Sequence, residues 1–218
     1  MTTVSIPLFP LSNVVLFPGC LAPLHIFEPR YRQMTEAALE AERLIGMVTV
    51  RPEASEEMRG NPPIYAVGCA GFISDHQRLP DGRYNIVLRG VKRFRVESEY
   101  APKSERLYRV AEARWLDDPD VGTADGRAGL REGVLSHLRR LARRSQGGDE
   151  VSLAHLGELD DGAFTNSLCQ ALGLPPEEKQ GLLEAASLTE RLTQLEGLLA
   201  FHLVGLDSSH SGGASTVH

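Results

Sequence analysis

The stretch that decides the fold is Ile6-Pro7-Leu8-Phe9-Pro10-Leu11-Ser12-Asn13-Val14-Val15-Leu16-Phe17-Pro18-Gly19. After Cys20-Leu21-Ala22 it continues as Pro23-Leu24-His25-Ile26-Phe27-Glu28-Pro29-Arg30-Tyr31. Val4, Ile6 and Leu8 alternate with the two-residue period of a half-buried strand. Val14-Val15-Leu16-Phe17 is a short apolar run closed by Pro18-Gly19, and residues 21–27 form another, interrupted by Pro23. Proline cannot donate to a strand ladder, so these prolines imply edges, bulges and short strands rather than a long flat sheet. At residues 29–42 the period changes to that of a helix. Pro29 suits the first turn, where a missing N–H costs nothing, and Tyr31, Met34, Thr35, Ala38 and Leu39 share one face.

Further strands are expected at residues 44–50, 65–73, 83–88, 93–100 and 107–116, with a polar loop at 51–63. Pro80-Asp81-Gly82 is a hairpin turn signal: proline pre-sets one dihedral and glycine accepts a positive φ. Gly68 and Gly71 inside one strand point to a bulge or close backbone packing. Many short strands joined by turns imply a curled sheet or small barrel.

The composition shifts at residues 117–126, an acidic run with Pro119, Gly122 and Gly126. Beyond it the pattern is helical. Leu130, Val134, Leu138 and Leu141 mark one face, and residues 145–150 break it. Asp161 is the expected cap of a helix at 162–172, with Gly173 in a left-handed conformation past its end. Pro175-Pro176 opens the next helix, and Ser187-Leu188-Thr189-Glu190 reads as a capping box. The last helix carries Leu188, Leu192, Leu195 and Leu199, a series too short for a coiled coil and better read as packing within the helical half. The expected organisation is residues 1–118 as a β domain, 119–207 as a helical subdomain and 208–218 as a disordered tail.

With 218 residues, 42% hydrophobic and 24% charged, the chain can bury a core without disulfides or metal. A net charge of −6 disfavours a general nucleic-acid binder, which needs a basic excess to neutralise phosphate. Cys20, Cys69 and Cys169 are widely spaced and odd in number, so they read as reduced thiols of a cytoplasmic protein. The start lacks a basic targeting region, and no stretch approaches the roughly 18 apolar residues of a membrane span.

The chemistry of a catalyst is hard to find. The chain has no GxxxxGK[ST] loop, no HExxH, no zinc-spaced His/Cys cluster and no GxSxG elbow. The lysines Lys92, Lys103 and Lys179 lack the small apolar setting that would activate a Ser–Lys dyad. Asp75-His76 reads as an exposed loop pair and Asp160-Asp161 as helix-capping residues. Arg139, Arg140, Arg143 and Arg144 form a basic stripe with no aromatic stacking platform beside it, which favours a solvated helix face over a nucleic-acid contact. No cofactor is expected.

The opening block resembles the N-terminal domain of the ATP-dependent protease Lon, which begins with a strand of the type PLFPL…VVLFPG followed by PLHIFEPRY. Tyr65-Ala66-Val67-Gly68-Cys69-Ala70 is similar to a downstream strand of that family. Residues 79–94, from Leu79-Pro80-Asp81-Gly82 to Arg93-Phe94, resemble its hairpin. Glu178-Lys179-Gln180-Gly181-Leu182-Leu183-Glu184 and Glu190-Arg191-Leu192 resemble its helical extension, so the likeness runs from residue 5 to about 200.

The resemblance implies an α+β fold. Its first part is a PUA-like pseudo-barrel of short, mainly antiparallel strands with one packed helix, and a C-terminal helical bundle follows. Phe9, Phe17, Leu24, Ile26, Phe27 and Phe94 are the expected core. The implied role is a non-catalytic module that binds unfolded protein segments, peptides or a specific protein partner, free-standing and without the ATPase and Ser–Lys protease domains of Lon. Candidate peptide-binding residues are His25, Arg30, Tyr31 and Arg93, because arginine can hold a carboxylate or carbonyl in two-pronged fashion. The alternative use of Arg30 and Arg93 is to lock the first helix to the sheet. Exposed strand edges offer a second binding mode, addition of an extended chain. Two rival functions are RNA binding, which PUA-like folds elsewhere perform, and small-molecule catalysis in a barrel cleft. The sequence leaves the oligomeric state open.

Overall fold

The computed structural model describes residues 3–54, 60–101, 105–119, 122–144 and 156–211. They group into two compact units. One comprises Met1–Asp117 with Asn166–Glu184, the other Asp118–Thr165 with Ala185–His218. The units are discontinuous in sequence, which a single cut at residue 118 does not express.

The first unit holds six strands among its described residues: β1 (Thr3–Leu11), β2 (Leu21–Ile26), β3 (Leu44–Thr49), β4 (Val67–Arg78), β5 (Tyr84–Glu99) and β6 (Arg109–Trp115). Helix α1 (Pro29–Glu40) connects β2 to β3. The strand order is β2-β5-β4-β3-β1-β6, and β6 also pairs with β5, so five strands close on themselves and β2 is attached outside the ring. All pairings are antiparallel except β1 with β3. This is the α+β pseudo-barrel expected from the sequence.

The strands are not uniformly short. The two runs expected at 83–88 and 93–100 form one 16-residue strand, β5. Gly90 lets it pass through the crowded point between them: a Cβ there would lie 2.1 Å from the Phe17 carbonyl oxygen. The first half of β5 pairs with β2 and the second half with β6. The β4–β5 hairpin turns at Gly82, whose φ is 80° and whose N–H donates to Leu79 O at 2.9 Å.

Inside the ring, Phe94 is fully buried with Ile6, Leu8, Val48, Ala70, Ala111 and Ala113. Room for its ring comes from Gly46 and Gly68, where an added Cβ would sit 2.8 Å from Phe94 Cζ. Gly71 coincides with a register shift in the β4–β5 pairing. Of the expected core, Phe9, Phe17 and Ile26 are buried and Leu24 is half-buried. Phe27 is the exception at 60% exposure. The chain turns from β2 into α1 there, so the inward alternation of the strand does not carry through it.

Val14-Val15-Leu16-Phe17 is not a strand. It is a loop whose Val15, Leu16 and Phe17 are buried. A buried loop needs partners for its backbone. Two side chains of helix α3 (Asp161–Ala171) supply them: Phe17 N–H donates to Gln170 Oε1 at 3.1 Å, and Asn166 Nδ2 donates to Pro18 O at 3.1 Å. Helix α4 (Pro176–Glu184) also joins this unit. Its buried Gln180 accepts from Thr49 Oγ1 at 2.7 Å and donates to Val67 O at 3.0 Å.

The second unit contains α2 (Ala124–Arg144), the first turn of α3, and α5 (Leu188–Ser211). Leu192, Leu195, Leu199 and Leu203 of α5 and Val134, Leu135 and Leu138 of α2 are buried. The leucine series therefore serves packing within this unit.

Asp160, not Asp161, caps α3: its Oδ1 accepts from Ala163 N–H at 2.8 Å. Asp161 instead pairs with Arg127 and Arg131, each at 3.1 Å. Gly173 is not in the left-handed region. The capping box forms in a shifted version. Glu190 N–H donates to Ser187 Oγ at 3.1 Å, and the Glu190 carboxylate reaches the N–H of Ala186 at 2.8 Å. Helix α5 extends to Ser211, into the expected tail. The rest of the tail and the helix break at 145–150 lie outside the described residues.

Candidate functional site

Helix α1 starts at Pro29 and ends where Arg43 turns left-handed (φ 59°), its N–H closing onto Ala38 O at 2.9 Å. One face, with Tyr31, Met34, Thr35 and Ala38, is buried. The flank beside it carries Ala37 and Ala41, whose small side chains leave space against the outward residues of β1. The result is a groove of about 610 Å³. Its apolar lining comes from Val4, Pro7, Ala37, Ala41, Leu44 and Val110, and its polar groups from Ser5, Glu42, Arg106 and Tyr108. Gln33 of α1 ties down the segment that carries Arg106. Its Nε2 donates to Glu105 O at 2.7 Å and its Oε1 accepts from Leu107 N–H at 2.8 Å. Arg106 Nη2 donates to Ala101 O at 3.1 Å, while its buried Nε meets no acceptor among the described residues.

The four sequence candidates do not converge on this groove. Arg93 is 2% exposed, and its guanidinium donates to Leu183 O at 2.7 Å and Asp117 O at 3.1 Å. Tyr31 is buried, with the tilted Phe9 ring 4.5 Å away on centroids and the Arg30 guanidinium 4.5 Å from its own ring. Burial pushes its phenol up to about 12. Arg30 is held by Glu28 at 3.0 Å and by Gly60 O at 3.1 Å. Arg30, Tyr31 and Arg93 thus hold the unit's own framework.

His25 alone is exposed. It lies on β2, beside a shallow depression of about 370 Å³ lined by Pro23, Asp75, Gln77, Asn85 and Val87 among others. Arg83 Nη1 lies 3.3 Å from His25 Nε2, and Asn85 Oδ1 lies 2.7 Å from Nδ1. A guanidinium only donates, so Nε2 is the acceptor and Nδ1 carries the hydrogen shared with Asn85. Arg83 in turn holds the Asp81 carboxyl below its ordinary range.

Sequence reading missed Ala37, Ala41, Arg106 and Tyr108. The available signal was the alanine-rich flank of α1, but a groove needs a second wall, and β1 and the approach to β6 supply it from distant parts of the chain. Among the described residues no group of three or more His, Cys, Asp or Glu side chains is placed to hold a metal. No helix of the described residues is long and apolar enough to cross a membrane.

A family described as the ATP-dependent protease La (LON) substrate-binding domain matches residues 5–200. The chain belongs to that family. Lon protease 2 of Herpetosiphon aurantiacus is 28% identical over 210 residues, covering 96% of this chain and 25% of that protein. This LON substrate-binding domain chain spans about a quarter of the length of the curated relatives it matches. Among solved structures, the N-terminal domain of the Mycobacterium avium complex Lon protease has a TM-score of 0.71 at 19% identity, over 91% of this chain and all of that one. A Lon N-terminal domain protein from Xanthomonas campestris has a TM-score of 0.62 at 25% identity, over 88% of this chain and 96% of that one. The first of these likenesses shows the fold alone. The family match carries the substrate-recognition role of the domain.

Proposed function

We propose that this chain holds extended or unfolded protein segments, without transforming them, in the groove between α1 and the outward face of β1. The observation that carries the reading is the groove itself: apolar walls in which Ala37 and Ala41 leave room, with Ser5, Glu42, Arg106 and Tyr108 supplying polar contacts. Such a lining accepts a range of aliphatic side chains and offers hydrogen bonds to a main chain. It has the concave, mostly apolar character of a binding site. The family match to a substrate-binding domain supports the same reading. Buried free thiols at Cys20, Cys69 and Cys169 suit a reducing, cytoplasmic setting.

RNA binding finds less support. Three of the six arginines of α2 are used at home: Arg127 and Arg131 pair with Asp161, and Arg139 with Glu132 at 2.8 Å.

The test is titration of a labelled, permanently unfolded protein into the wild type and Ala37→Trp. Ala37 is half-buried on the groove flank, so an indole there fills the space without entering the core. The expected result is saturable binding to the wild type and a loss of at least about tenfold, or 1.4 kcal/mol, in the variant. Equal affinity would remove the groove from the reading.

A further inference from the structure

We infer that the outer edge of β2 receives an extended protein segment as an added strand, with an acidic residue of that segment facing Leu21. The inference rests on the reading that the chain binds protein segments, and it adds a second surface that reads main chain rather than side chains.

The phase of the β2 ladder carries it. Gly90 N–H donates to Cys20 O at 2.8 Å, and the next pair along is Leu21 with Arg89. Antiparallel ladders alternate between pairs that exchange both bonds and pairs that exchange none. The Gly90–Cys20 bond therefore makes Leu21, Pro23 and His25 the set that does not bond to β5. Their main-chain groups point away from the sheet. Pro23 demands the same phase independently, since it has no N–H to give. Among the described residues β5 is the only strand that pairs with β2, whereas the five ring strands are paired on both sides. The outer edge thus offers N–H and C=O at Leu21 and at His25, and C=O alone at Pro23.

The surroundings select the occupant. Leu21 is 57% and Phe27 60% exposed, and Pro23 and His25 are exposed beside them. A second copy of this chain is a poor fit: two-fold pairing centred on Pro23 would set proline against proline and lose the central bonds. Charge points to a foreign segment of defined sign. Arg89 lies opposite Leu21, is exposed, and takes part in no ion pair of the described residues. Arg83, toward the other end of β2, is already paired with Asp81 at 2.6 Å. Folded over Leu21, the Arg89 guanidinium reaches a carboxylate on the added strand, and an apolar residue of that strand then faces Pro23.

The probe is a capped peptide of alternating valine and threonine carrying one glutamate, added to the full chain while amide exchange is followed residue by residue. The expected result at saturation is a slowing of about tenfold or more at the Leu21 and His25 N–H groups, with Ala22, Leu24 and Ile26 unchanged because they already bond to β5. Changing the peptide's glutamate to lysine weakens binding by about fivefold, and Arg89→Gln, an exposed change, removes that difference. N-methylation of the peptide at alternate positions abolishes binding in one of the two phases. Binding that protects neither Leu21 nor His25 and perturbs the α1 groove instead overturns the edge site and leaves the groove reading standing. Protection of both amides that grows with protein concentration and needs no peptide shows a second copy on the edge and overturns the choice of occupant. No saturable binding of this peptide or of an unfolded protein overturns both.

Discussion

The guanidinium of Arg93, in the middle of β5, donates to the carbonyl oxygen of Leu183 at 2.7 Å. Leu183 lies in the last turn of α4, where carbonyls have no partner within the helix. Arg93 also donates to Asp117 O, so one buried cation satisfies main-chain oxygens from two segments. Arg93→Met is expected to cost about 2–3 kcal/mol in urea unfolding, the worth of charged hydrogen bonds together with the carbonyls they leave behind. Arg93→Lys restores little, since a single ammonium lacks the planar fork that reaches both oxygens. Peptide affinity of the folded variants stays at the wild-type level. A selective loss of affinity with no loss of stability would return Arg93 to the binding residues.

Gly90 sets a second test. A methyl group there would lie 2.1 Å from Phe17 O and 2.9 Å from Phe17 C, both of them backbone atoms that cannot swing aside. Gly90→Ala is expected to destabilise the chain by at least about 3 kcal/mol, at or beyond the usual cost of overpacking. Gly181→Ala, with open space around the added carbon, is the control and should be nearly neutral or slightly stabilising. Thermal unfolding of the two variants side by side decides the matter.

In the second unit, Arg191 is fully buried and its guanidinium meets the Asp118 carboxylate at 2.7 and 3.3 Å. Asp118→Ala leaves the arginine buried without that counter-charge and should cost about 3 kcal/mol. Replacing both partners, Asp118→Leu with Arg191→Met, should recover most of the loss, because a buried ion pair brings little net stability over apolar residues of similar size. Failure of the double variant to recover would show that the pair specifies the arrangement of α5 rather than merely filling space.

Tyr31 makes stability depend on alkaline pH. Burial raises its phenol to about 12, against about 10 for an ordinary tyrosine, so the folded state keeps the proton longer than the unfolded chain. Its contribution is complete below about pH 10 and is lost as the pH climbs toward 12. Tyr84 is raised as well, by burial and by its bond to Glu36, so some slope persists in any variant. The readout is the difference: unfolding free energy against pH should fall less steeply for Tyr31→Phe than for the wild type between pH 10 and 12. Identical slopes would mean that the phenol is not buried in solution.

What the sequence made legible was the local chemistry. The face of α1, the Gly82 turn and the Ser187–Glu190 capping box depend on residues within a few positions of one another, and each is present. Other features depend on distant partners. Val14 to Phe17 has the composition of a strand, yet it lies in a loop, where Gln170 satisfies the Phe17 N–H and Asn166 the carbonyl of the adjoining Pro18. Asp160 takes the cap because Asp161 is drawn to two arginines of α2. The runs on either side of Gly90 read as two strands because glycine usually interrupts a ladder, whereas here it allows one to pass. Of the four residues proposed for binding, His25 is exposed, on β2 and away from the groove. The groove was not visible, since its alanines advertise nothing until β1 and Arg106 are placed opposite them.

The most direct measurement of the central claim is a calorimetric comparison of one small protein in two states, native and reduced-and-blocked so that it cannot fold, titrated into this chain. Saturable heat with the unfolded form and none with the native form is the predicted result. Equal binding of both forms, or of neither, would contradict it.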